Sequence, residues 1–345
     1  MGKRIQWIDY GKGFAMFLVF WGHTICPEIV RGVFYAFHMP LFFFLSGYVF
    51  SYRRYSSIKT FIWKKFRTLI VPGAVFGTVC LIGNCLNGLF IKKPVEGTIL
   101  TRVVGLFLEI RGGSYWVIPW FFTSLFTIEV VSFFLLRYLT QKTVLLLSVL
   151  FSAIGYTYCL FIGYIVPWAV ETACSGFLFF VIGYLFKVHA EKMLPICNGK
   201  ITIIWMIFVI VFARLNILIS GKYLDMYANQ YGIYPLYMVA ALSGVFFSVG
   251  FMRYLKHQKN GVLQKVLRYV GKNSLIFYCF NHLMLQIVQE IFQFAGFSLD
   301  NLHISQQIVI GVVIVICAGG LCCLLAELAN RFVPGVMGRT ISSNN

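Results

Sequence analysis

The chain has 345 residues, 59% of them hydrophobic and only 12% charged, with a formal net charge of +18 and a mean hydropathy of +0.82. These values lie far outside the soluble globular range and exclude a water-soluble enzyme or binding module. Cations beside anionic inner-leaflet lipid account for the positive excess, so it calls for no nucleic-acid partner.

Apolar runs near the roughly 20 residues that cross a bilayer recur at about 6–26, 31–51, 69–91, 115–137, 143–162, 167–187, 201–220, 233–254, 273–295 and 307–331. Backbone amides cannot stay unpaired in lipid, and these runs lack the two-residue alternation of barrel strands. The expectation is an all-α, polytopic transmembrane bundle of about ten spans. It forms one domain over residues 1–335, with a short cytoplasmic tail at 336–345. With the N-terminus inside, 22 of the 29 Lys and Arg fall on the cytoplasmic side, so both termini are placed there.

The first span carries Asp9, Lys12 and His23. Lys12 and His23 are eleven positions apart, which at 100° per residue brings them within about 20° of one helix face, separated by a rise near 16 Å. Asp9 lies roughly 40° off that stripe, placed to orient Lys12 or pair with it. An aligned cation and imidazole inside a span mark a polar path, because ionisable groups are costly in hydrocarbon. The second span holds His38 in FHMPLFFFLSG. There Pro40 removes an amide donor, and the Ser46-Gly47 pair allows close helix approach and offers a hydroxyl.

The basic run that follows, Arg53 to Arg67, reads first as a topology anchor and second as an entry site for a polyanionic cofactor from the cytosol. Tyr115, Trp116 and Trp120 open the fourth span, where aromatic residues form an interfacial belt or stack on sugar rings. Glu129, Glu171, Glu290 and Glu327 are expected at helix ends or as interior partners of basic groups. Asn273, Ser274, Asn281 and His282 add polarity to the ninth span, while His189, His257 and His303 fall in connections or near span ends. The ten cysteines form no CxxC pair and read as small buried hydrophobes. The histidines and acids lack a clustered ligand spacing, so no metal is expected.

Several stretches together resemble the acyltransferase-3 family of integral membrane O-acyltransferases, in its standalone, polysaccharide-modifying form. They are WIDYGKG with the Lys12-x10-His23 pair, FHMPLFFFLSG, KKFRTLIVP, YWVIPWFFTSLF and, at residues 270–285, VGKNSLIFYCFNHLML. The family's basic-x10-His motif maps onto Lys12 and His23, its FFxxSG onto Phe43, Phe44, Ser46 and Gly47, and its RxLxxP onto Arg67, Leu69 and Pro72. Two departures stand out: position 12 is Lys where Arg is frequent, and the WFLP-like motif reads Trp116-Val117-Ile118-Pro119.

The resemblance implies transfer of an acyl group, usually acetyl from cytosolic acetyl-CoA, to a hydroxyl of a cell-surface or lipid-linked glycan. It also implies a plasma-membrane location, in a bacterium the inner membrane. A sugar hydroxyl is a poor nucleophile at neutral pH, and an imidazole can take its proton as it attacks the thioester. His23 is the candidate for that role, as general base or as an acetyl-imidazole carrier. Lys12 and His38 complete the catalytic set. Lys12, Lys64, Lys65 and Arg67, with Ser46, are the candidates for holding CoA, whose phosphates suit cations near the inner surface. Trp116, Asn281 and His282 are the candidates for the acceptor. The rival reading is a transporter or flippase of a lipid-linked saccharide, since interior Lys, His and Glu also suit a translocation path.

Overall fold

The computed structural model describes residues 5–90, 104, 108–110, 119–259 and 261–336. Its helices are α1 (Gln6–Gly22), α2 (Glu28–Val49), α3 (Ile58–Lys65), α4 (Val71–Phe90), α5 (Trp120–Tyr138), α6 (Gln141–Phe161), α7 (Val170–Val188), α8 (Gly199–Ser220), α9 (Tyr234–His257), α10 (Val262–Lys272), α11 (Ser274–Phe294) and α12 (Ile304–Phe332). Among the described residues the only strand-like pairing is an isolated bridge between Asp225 and Gln230. The protein is an all-α, multi-pass membrane bundle. Nine helical stretches in the described residues are long and apolar enough to cross a bilayer. The tenth expected span, α1, is shorter at 17 residues and carries Asp9 and Lys12.

Local chemistry sets the helix boundaries. Ser57 and Thr140 cap α3 and α6, their hydroxyls accepting from the amides of Thr60 and Thr143. Gly221, at φ 62°, ends α8 in the left-handed conformation that glycine adopts without strain. Helix α1 stops at Gly22, short of the expected 26. The His23 amide closes the last turn onto Val19 and Phe20, and Pro27 then starts α2 from an extended conformation.

Two features depart from the expected plan. The third span is one continuous rod from Ile58, with a π-turn at Phe66–Ile70 joining α3 to α4; a turn with one extra residue re-aims the side chains on either side of it. The connection expected at 252–272 is largely helical, because α9 continues to His257 and α10 occupies Val262–Lys272. The alternation of Val, Leu and Tyr with Gln, Lys and Arg in that stretch is that of an amphipathic helix, too short to span and suited to an interface.

Burial divides the helices into an inner and an outer set. The most apolar windows of α2 and α7 are 67% and 72% buried, whereas those of α6 and α8 are 22% buried and present their aliphatic residues outward, as lipid-facing helices do. Helices α2 and α7 cross backbone to backbone: a methyl on Gly47 would overlap the Phe180 carbonyl, and one on Gly183 would overlap the Phe44 carbonyl. Helix α10 is clamped to α1 in the same way, Gly13 against Leu267 and Gly271 against Asp9. Small residues permit such close approach, and dispersion and weak polar contacts then replace the hydrophobic drive that lipid lacks.

Candidate active site

The turn after α1 delivers His23 to the end of the bundle where α2 begins. Gly22 makes room for it: a methyl there would press on the Tyr35 ring, so the α2 tyrosine packs directly under the turn. The Tyr35 hydroxyl donates to the Gly22 carbonyl at 3.3 Å and lies 3.1 Å from His23 Nδ1. A phenol has one proton; with that proton on Gly22, Nδ1–H is the donor to the Tyr35 oxygen, the tautomer that leaves His23 Nε2 its lone pair.

A cavity of about 610 Å³ opens beside this ring, and its walls include His23, Tyr35, His38, Asp225, Asn281 and His282. The rings of His23 and His282 lie in contact, with centroids 4.3 Å apart, and both residues are open to the cavity. His38 differs. It is 4% exposed, its Nδ1–H donates to the Phe34 carbonyl at 2.9 Å, and its ring packs against Tyr35 at 5.0 Å. Asn281 donates from Nδ2 to the Tyr278 carbonyl, while its Oδ1 is enclosed without a partner. A buried acceptor without a donor is costly, and a ligand hydroxyl would satisfy it.

The connection at 221–233 forms another wall. It tucks into the bundle, burying Leu224, Met226 and Tyr231, and an Asx-turn, in which the Asp225 carboxylate accepts from the Tyr227 amide at 2.8 Å, shapes its tip. Asp225 and Tyr227 thereby face the histidine cavity. Tyr223 stacks edge-on against Tyr35 at 6.0 Å. Burial pushes its phenol up to about 12, so it remains a neutral hydroxyl.

His23 also lines a second, larger pocket of about 840 Å³, between the start of α2 and the 295–303 connection. Thr24 fixes that rim by accepting from Gln289 Nε2 of α11 at 2.7 Å. One imidazole therefore borders two chambers.

The structure thus brings together His23, His38, Asn281 and His282, which sequence placed on three different spans. Lys12, Ser46, Lys64, Lys65 and Arg67 line neither chamber and lie toward the opposite, N-terminal end of the bundle. Lys65 forms an ion pair with Glu129 at 2.7 Å, as expected for an interior acid. Lys64 rests over the Tyr55 ring at 5.5 Å, and Arg67 projects exposed from the π-turn. Glu327 accepts from the Tyr269 hydroxyl at 2.6 Å. Trp116 lies outside the described residues.

Sequence reading passed over Tyr35 and Asp225. For Asp225 a signal existed: YLDMYANQYGIY at 223–234 is far too aromatic for a solvated connection. Tyr35 stood among so many aromatics that only its distance to His23 singles it out.

A family model, the acyltransferase domain of acyltransferase-3 proteins, matches residues 5–327. The chain belongs to the acyltransferase-3 family. The matched region spans α1 through most of α12 and so contains both chambers and every described candidate residue. No curated protein matches the chain. An acyltransferase-3 domain in a multi-pass helical bundle makes this protein a membrane acyltransferase.

Proposed function

We propose that this membrane acyltransferase moves an acyl group, most simply acetyl, from acyl-CoA on the cytoplasmic side to a hydroxyl of a cell-surface or lipid-linked glycan. The observation that supports this reading is the position of His23 on the walls of two chambers. A group shared between a donor side and an acceptor side is what a transfer across a membrane requires.

The residues present fit such a donor. With the N-terminus inside, Arg67 and Lys64 stand at the cytoplasmic end. Among the described residues Arg67 makes no ion pair, and it is exposed, so it can grip a phosphate in bidentate fashion. Lys65 is committed to Glu129 and acts by fixing the helix that carries Arg67. Lys12, one to two turns into α1, and Ser46 near the end of α2 border the route from there toward His23. The acyl-CoA, when bound, supplies the activated thioester.

His23 Nε2 takes the proton of the acceptor hydroxyl as that oxygen bonds to the acyl carbon. The carbon–sulfur bond breaks, and the imidazolium returns the proton to the departing thiolate. Tyr35 orients the ring, and Asn281 Oδ1, on the wall of the 610 Å³ chamber, is placed to accept from a ligand hydroxyl there. His282 packs against the His23 ring that carries the proton during transfer. Trp116, in the aromatic opening of the fourth span, is assigned to the sugar.

The test is transfer of radiolabelled acetyl from acetyl-CoA to a bacterial glycan extract by membranes carrying wild type or His23→Ala, with folded yield checked in parallel. Wild type should label the glycan, and His23→Ala should lose about two orders of magnitude or more. Full activity in the variant removes His23 from the chemistry. No transfer by wild type brings the saccharide transporter forward.

A further inference from the structure

The larger chamber holds a cation whose role the transfer chemistry does not use. Arg31, in the first turn of α2, lines this pocket together with Gln289, Asn301 and Gln307. Its Nη2 donates to the carbonyls of Thr24 and Cys26 at 3.0 and 3.1 Å. These bonds fix the guanidinium under the His23 turn. Its Nε is enclosed without a partner, the guanidinium lies beside the Cys26 thiol, and among the described residues no carboxylate lies within ion-pair distance of it. Glu28, one turn earlier on the same pocket rim, is exposed and forms no ion pair with it.

A fixed guanidinium with spare donors is a receptor for an anion. The surroundings favour the same charge. The N-terminal ends of α2 and α12 both open onto the pocket, through Ile29 and Ile304, and the backbone dipoles at such ends are positive. Gln289 and Gln307 spend their Nε2 groups on Thr24 and on the Leu302 carbonyl, which leaves their carbonyl oxygens to accept from hydroxyls. At about 840 Å³ the pocket is in the upper part of the range for ligand sites. A polyhydroxylated ligand carrying one acidic group matches this set of one cation and several acceptors.

We propose that the 840 Å³ pocket is the acceptor subsite and that Arg31 selects a glycan bearing an acidic group, carboxylate or phosphate, beside the hydroxyl presented to His23. This rests on the transferase reading for its purpose and on the pocket alone for its binding. Arg31 is thus a specificity residue, distinct from the groups that move protons.

The experiment is direct binding to the full-length protein in lipid nanodiscs, followed by calorimetry. The probes are a glucuronate-containing trisaccharide, its carboxyl-reduced counterpart and a hexose 1-phosphate, offered to wild type, Arg31→Gln and Arg31→Lys. Wild type should bind at least one acidic probe about tenfold or more tightly than the carboxyl-reduced sugar. The acid that shows the preference identifies its source as uronate or phosphate. Arg31→Gln should erase the preference and Arg31→Lys retain part of it. Equal binding of acidic and reduced probes by wild type, no binding of either acid, or an intact preference in Arg31→Gln each overturns the proposal. The wild-type comparison decides even where Arg31→Gln fails to fold. Transfer of radiolabelled acetyl to the glycan extract by the same preparation reports on the transferase reading separately. Lost preference with transfer intact sinks the pocket alone, and intact preference without transfer sinks the transferase alone.

Discussion

Two histidines fifteen positions apart play different parts, and their surroundings show why. His23 is open to both chambers and is held by a tyrosine; His38 is buried and spends its Nδ1–H on its own helix. His38→Ala should therefore act mainly on stability, lowering the melting temperature in a thermal-shift assay while costing less transfer than His23→Ala. Tyr35→Phe keeps the ring and removes only the hydroxyl that fixes the His23 tautomer. It should lower kcat about tenfold, the worth of one hydrogen bond of roughly 1.4 kcal/mol, with KM for the acyl donor unchanged. Steady-state kinetics read the split, and an unchanged kcat would reduce Tyr35 to packing. The sequence named both histidines because imidazole among Phe and Leu is conspicuous at any distance. It could not name Tyr35, whose significance lies in a contact across a turn, or join His282 to His23 across 258 intervening positions.

Among the elements, the crossings made by glycine are the most constrained. Gly47→Ala or Gly183→Ala drives a methyl into a backbone carbonyl that has no rotamer to escape into. Each should cost about 1–3 kcal/mol, as overpacking does, and reduce the folded yield in detergent. Gly319 and Gly320 of α12 face open space, so alanine there should be neutral or slightly stabilising, since glycine weakens a helix interior by up to about 1 kcal/mol. Thermal denaturation of the four variants checks the contrast. The ion pair between Lys65 and Glu129 joins α3 to α5 with side chains 21% and 6% exposed. Glu129→Leu should destabilise by up to about 3 kcal/mol, and the double variant Lys65→Met with Glu129→Leu should recover most of it, because an unpaired interior charge is the costly state. Nine of the ten expected spans coincide with helices long and apolar enough to cross, to within a few residues at most ends. The π-turn and α10 were not: a single extra residue per turn leaves no mark on composition, and an amphipathic helix of eleven residues looks polar in any window sized for a span.

For the whole molecule, the distribution of cations gives an orientation that can be checked from outside. In a cysteine-free background, Ser56→Cys, between α2 and α3, should react with an impermeant maleimide only after the membrane is opened. Ser298→Cys, between α11 and α12, should react in intact cells. The reverse pattern would invert the protein and place the 840 Å³ pocket in the cytosol. The placement of His23 between two chambers carries a further, thermodynamic consequence. A ligand in one chamber that turns or charges this ring changes the wall of the other, and so couples the two affinities. Linkage requires the effect to be reciprocal: whatever factor a bound acyl-CoA analogue imposes on glycan affinity, the glycan imposes on the analogue. Two ligands that never share a compartment would thus sense each other through a single side chain, and an inhibitor confined to the outer face would read out as a change in what the cytosol can bind.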